Sequence, residues 1–141
     1  MQIEKALVQA VKDDATLAAL LLRTTGQYHI YPNAVPQDYA QEGSATACYL
    51  VYTRIGTQYN QLLGYQIASF QLSIFTKTYD KAVQARNALY DVLQRFKGTL
   101  GSSGKTQLVR FAWLTNNVES KDLDSGDYHM ILECSFKYSE E

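Results

Sequence analysis

The chain has 141 residues, 46% of them hydrophobic and 19% charged, and a formal net charge of −1. That length fits one domain spanning residues 1–141 with a core large enough to need no disulfide or metal staple, and the composition excludes a disordered chain. Lys and Arg are scattered without a basic stripe, which argues against tight phosphate binding by one subunit; the apolar stretch Leu17–Leu22 is far shorter than the roughly 20 residues of a membrane span.

The first segment places Ile3, Ala6, Leu7, Ala10 and Val11 at helical spacing. Asp13 or Asp14 then interrupts it and can cap a second short helix over Ala15–Leu22, a carboxylate accepting first-turn amides that otherwise lack partners. Tyr28–Tyr31 reads as a short strand, followed by an irregular stretch bracketed by Pro32 and Pro36 and a polar run over Gln37–Ala45. Ala47–Ile55 and Tyr65–Thr78 are rich in β-forming residues, and Gly56–Gly64 between them reads as a long hairpin connection with a projecting tip. Tyr79–Phe96 predicts one long central helix, with Ala82, Ala85, Leu89, Val92 and Phe96 on one apolar stripe and Gly98 as its left-handed stop. After a Gly/Ser turn region at Thr99–Thr106, strands are expected over Leu108–Val118 and Tyr128–Tyr138, joined by an acidic turn. In the last strand, Tyr128, Met130, Leu132, Cys134, Phe136 and Tyr138 share one face by two-residue alternation. The expected class is α+β: an antiparallel or mixed sheet of about four main strands, with the N-terminal helices and the central helix packed on one face.

Each chemical motif in the chain also has a plainer reading. Gly101-Ser102-Ser103-Gly104-Lys105-Thr106 imitates a phosphate-binding loop, but Thr99 stands where the first Gly is needed. The order is also reversed, since a helix precedes it and a strand follows. Asp122, Asp124 and Gly126 imitate a calcium loop, but the Gly is one place early and a strand follows, so a turn is the better reading. His29, Cys48, His129 and Cys134 lack paired zinc spacing; Cys134 is expected in the core and His129 at the surface or an interface. No nucleophile elbow or cysteine-enzyme signature is present, and no catalytic residue, cofactor or metal is assigned. Two cysteines are too few for a disulfide framework, and the start Met1-Gln2-Ile3-Glu4-Lys5 lacks signal-peptide character, so synthesis in a reducing cytoplasm is expected.

Read together, the segments resemble a known family. Ile3-Glu4-Lys5-Ala6-Leu7 with Ile30-Tyr31-Pro32 is similar to the start of bacteriophage tail-completion proteins. Tyr49-Leu50-Val51-Tyr52-Thr53-Arg54-Ile55 resembles their first long strand, and Tyr79-Asp80-Lys81-Ala82 with Leu89, Leu93 and Phe96-Lys97-Gly98 resembles their central helix and stop. Asp122-Leu123-Asp124-Ser125-Gly126-Asp127-Tyr128-His129, followed by an alternating strand, completes the match. The resemblance implies a tail terminator, also called a tail-to-head joining protein. Such a protein is a structural virion component and not an enzyme, a homo-oligomeric, typically hexameric ring at the head–tail junction. It caps the tail tube protein, ends polymerisation and meets the head connector or neck protein, while DNA passes through without specific binding. The neighbouring readings are another connector component, such as a head-closure or neck protein, and a small cytoplasmic enzyme or ligand-binding domain.

The hairpin tip Thr57, Gln58, Tyr59, Asn60 and Gln61 is polar and has no evident core duty, which makes it the first candidate interface; Tyr39 and Gln41 are the second. Glu119, Asp122, Asp124 and Asp127 are the candidates for an acidic lumen that repels DNA phosphates.

Overall fold

The computed structural model describes residues 2–22, 28–33, 48–60, 62–121 and 128–139. Two helices come first, α1 (Gln2–Asp13) and α2 (Ala15–Leu21). The apolar stripe predicted for α1 is buried along its whole length. Asp14 divides the two helices and caps the second, its Oδ2 accepting the Leu17 N–H at 3.0 Å. The chain continues as β1 (Ile30–Pro32), β2 (Cys48–Asn60), β3 (Tyr65–Thr76), α3 (Tyr79–Leu93), β4 (Gly98–Ser102), β5 (Lys105–Lys121) and β6 (Tyr128–Tyr138).

The strands form one six-stranded sheet in the order β1-β2-β3-β6-β5-β4. β1 joins β2 in parallel, and the other pairings are antiparallel. The mixed α+β class matches expectation, whereas the count of about four strands does not. The expected turn region Thr99–Thr106 contains β4 and the start of β5, closed by Ser103 and Gly104 at φ 54° and 79°. Positive φ at both central residues is what a two-residue turn matching the strand twist requires. The central helix is also shorter than predicted. It stops at Leu93; Gln94 turns extended, Arg95 takes φ 60°, and Gly98 begins β4 in place of ending a helix.

The hairpin connection expected over Gly56–Gly64 is mostly strand. A β-bulge between Arg54 and Gly56 absorbs one residue, after which β2 resumes pairing with β3 from Gly56↔Ser69 to Asn60↔Tyr65. β2 and β3 therefore form a long hairpin arm.

The helices cover one sheet face. Ala68, Phe70, Leu72 and Ile74 of β3 and Met130, Leu132, Cys134, Phe136 and Tyr138 of β6 point into that layer, fully buried. Phe70 and Phe136 meet edge to face, 6.0 Å between centroids. From α3, Ala82, Ala85, Ala88, Leu89 and Leu93 complete the core, with Val92 and Phe96 packed half-buried against it. Both cysteines are free and buried; burial pushes the Cys48 thiol up to about 12 and raises Cys134 likewise.

α1 touches strands from both halves of the sheet. Glu4 Oε1 lies 3.5 Å from the Arg54 guanidinium on β2, and Ala6 backs directly onto Gly101 on β4. The sheet thus curls round this helix. Gly101 sits at φ 90°, where a Cβ would strike the Lys105 carbonyl and lie 3.2 Å from the Ala6 backbone. Here only glycine lets the β4–β5 hairpin seat on α1.

Candidate assembly surface

The β2–β3 arm carries the first interface candidates. Thr57, Gln58 and Tyr59 are exposed, as expected, but they stand on a strand and not at a tip. Asn60 ends that strand, and Gln61, Tyr39 and Gln41 lie outside the described residues. The turn itself presents Leu62 and Leu63, 96% and 63% exposed, and Tyr59 is 60% exposed. Sequence reading named the polar flank and missed these two leucines. Their signal was available: consecutive leucines beside Gly64 at φ 68° form a turn that can bury neither side chain. Arg54 braces the base of the arm, donating from Nε and Nη2 to Thr57 Oγ1 at 2.9 and 2.7 Å.

The bulge also fixes which backbone groups face outward. On the side of β2 away from β3, Leu50 N–H donates to the His29 carbonyl and the Tyr52 carbonyl accepts from Asn33 N–H. β1 pairs only with Leu50–Tyr52. Beyond it, alternation carried through the bulge turns the backbone groups of Arg54, Thr57 and Tyr59 outward. Among the described residues nothing pairs with them.

At the opposite edge, β5 is longer than predicted. Its outward N–H groups at Ala112 and Leu114 donate to the Phe96 carbonyl (2.9 Å) and Gln94 Oε1 (2.8 Å). A second bulge falls between Thr115 and Asn117, and from there to Lys121 no described residue pairs with the outer edge. Of the acidic lumen candidates, Glu119 is described; Asp122, Asp124 and Asp127 are not. Glu119 accepts from Arg86 on α3 at 2.7 Å and from the Tyr79 hydroxyl at 3.5 Å, which ties this end of β5 to the helix layer.

The sheet face away from the helices is half-buried and mixed in character. Ser69 and Ser135 hydroxyls bond across β3 and β6 at 2.9 Å, and Phe111 stacks with Trp113 at 6.0 Å. His129 lies on this face, stacked on Phe75 at 4.2 Å, and its buried Nε2 has no hydrogen-bond partner among the described residues. Desolvation pushes its pKa below the ordinary histidine value. His29 is instead fully buried, its Nδ1 2.6 Å from the Tyr31 hydroxyl and its ring 4.3 Å from that of Tyr49. The four soft-ligand residues are not gathered, and among the described residues no three His, Cys, Asp or Glu side chains converge as metal ligands. An open groove of ≈ 410 Å³ runs beside α1, lined by Glu4, Lys12, Tyr52 and Lys105 among others. Tyr52 there is raised in pKa, by burial first and then by the Glu4 carboxylate.

No helix among the described residues is long and apolar enough to cross a membrane. No protein-family model matches the chain, and no curated protein sequence matches it. Solved structures do. A chain of the virion of a native gene transfer agent (GTA) particle superposes with a TM-score of 0.65, covering 99% of this chain and 95% of its own length at 20% identity. At that identity the likeness is one of fold: this chain has the architecture of a protein from a GTA virion.

Proposed function

We propose that this chain is a structural protein of a phage-type virion, acting as a tail terminator. It closes the tail tube as a homo-oligomeric ring, typically of six copies, ends polymerisation and presents the joining surface for the head connector. The observation that carries this reading is the shared fold, end to end, with a chain of a gene transfer agent virion. The molecule's surface supports it. A head-to-tail ring needs two different complementary patches, and among the described residues this sheet leaves two differently built strand stretches uncovered, the outer part of β2 and the end of β5. The arm's exposed Tyr59, Leu62 and Leu63 are the kind of side chains that form an interface centre.

In this reading DNA runs through the ring without being held. Asp122, Asp124 and Asp127 between β5 and β6 are proposed to face the channel and repel phosphates, while Glu119, paired with Arg86 in the helix layer, anchors that end of β5; a net charge of −1 fits a conduit that does not grip its cargo. Electron microscopy of the purified protein mixed with tail tubes tests the assignment. Rings of one size seated at a single tube end are expected. Exclusive capture by portal complexes would move the protein to a head-closure or neck position, and turnover of a small-molecule substrate would remove it from the virion altogether.

A further inference from the structure

The two bare strand edges fit one another. Among the described residues, β2 is covered by β1 only as far as Tyr52, which leaves Thr53–Asn60 open, and β5 is covered by the Gln94–Phe96 connection only as far as Leu114, which leaves Thr115–Lys121 open. The open stretches have nearly the same length, and each follows or spans a bulge. Neither carries a proline, and neither is blunted by a run of charge. A long bare edge of this kind is a template for adding a strand, and proteins that leave one open generally have a use for it.

Direction and stagger also agree. Through the antiparallel ladders, β2 and β5 run opposite ways, so copies related by rotation bring β5 of one against β2 of the next in antiparallel pairing. Along the row Thr57↔Ala68, Ala68↔Phe136 and Phe136↔Ala112, the open part of β2 lies level with Ala112, whereas the open part of β5 centres near Val118. With one residue taken up by the Thr115–Asn117 bulge, that offset is about five rungs, from Phe136 to Ile131 on β6, or roughly 16–17 Å at ~3.3 Å per residue. One copy contributes β2, β3, β6 and β5 to a continued sheet, a width of roughly 19 Å at about 4.8 Å per strand. Stagger and width that nearly match tilt the strands by roughly 40–45° from the ring axis, within or close to the ~35–45° at which sheets close on themselves.

We infer that the open edge of β2, Thr53–Asn60, pairs antiparallel with the open edge of β5, Thr115–Lys121, of a second copy of this chain, so that the ring is closed by one continuous sheet. The inference rests on the ring reading above and names the contact that makes the ring. The backbone groups of Thr57 and Tyr59 face outward on β2 and those of Asn117 and Glu119 on β5, so with the two stretches centred on one another Gln58 stands opposite Val118 as a non-hydrogen-bonded pair. In such pairs the Cα atoms approach to about 4.5–5.5 Å, close enough for a disulfide. Gln58 and Val118 are both exposed, and the native thiols are buried.

The test is the double variant Gln58→Cys with Val118→Cys, oxidised while assembled on tail tubes. A covalent ladder ending at the ring number is expected from the double variant and not from either single one. In parallel, Tyr59→Pro removes an outward N–H that takes no part in the β2–β3 ladder; it should leave thermal unfolding nearly unchanged and weaken ring formation about tenfold or more. If rings form but Gln58→Cys/Val118→Cys subunits stay unlinked and Tyr59→Pro assembles normally, the edge pairing is overturned and the ring reading stands. If wild-type protein forms no ring even on tail tubes, both are overturned.

Discussion

The two hairpins on either side of α3 are built from similar turn chemistry and come to opposite ends. The β4–β5 hairpin is pressed onto α1, its Gly101 backbone touching Ala6, with no side chain of its turn large enough to stand out. The β2–β3 arm outgrows β1 and ends in two exposed leucines. Contact with a helix is what separates them. A hairpin seated on a helix needs a residue without a side chain at the contact, as Gly101 is. A turn released from the core can carry apolar side chains, which the fold leaves for another surface to cover.

This contrast can be broken at four points, in falling order of effect on stability. Phe136→Ala removes the ring on which β3, β6 and the helices converge, so both hairpins should lose their floor. Denaturant unfolding should show a loss of about 3–5 kcal/mol, and a loss under 1 would mean the core is not organised around this pair. Gly101→Val attacks only the seated hairpin, placing a β-branched residue at φ 90° against α1. A loss of roughly 1–3 kcal/mol is expected, and an unchanged melting temperature would show that the hairpin is not held there.

The third point concerns pH. His129 is half-buried on the sheet face away from the helices, and desolvation lowers its pKa. Above the ordinary value of about 6.5 it is neutral both folded and unfolded, and its contribution is constant. As pH falls below that value the unfolded chain takes up the proton first, so stability drops. Unfolding midpoints from pH 8 to pH 5 should fall more steeply in wild type than in His129→Gln; parallel curves would exclude this histidine as the cause. The smallest effect on the fold is expected at the free arm. Leu62→Ser with Leu63→Ser should change stability by no more than about 0.5 kcal/mol. Association with tail tubes, measured by sedimentation, should nevertheless be lost; retained binding would leave the leucines without a role.

Legibility in the sequence followed the source of each element's stability. α1, α2 and β6 were readable because their own apolar spacing defines them: five buried positions on α1, the Asp14 cap, and alternation from Met130 to Tyr138. β4 was not, because Gly98, Thr99, Gly101 and Ser102 have turn chemistry and are made strand only by the ladder to β5. The outer half of β2 was hidden for a similar reason. Thr57–Asn60 show no hydrophobic alternation, and the bulge at Arg54–Gly56 breaks what pattern there is. The end of α3 was misplaced because Arg95, not a glycine, takes the left-handed turn. Thr57, Gln58 and Tyr59 were legible as exposed, whereas the pairing that puts them on the outer part of a strand exists only in three dimensions.

The sealed thiols have a practical consequence for how the protein meets oxidants. Reaction with oxygen species, glutathione disulfide or another protein's cysteine goes through the thiolate, and at neutral pH Cys48 and Cys134 are almost wholly protonated and out of reach. Both cysteines are therefore held back from that chemistry for as long as the core around them stays packed, in reducing and aerated surroundings alike.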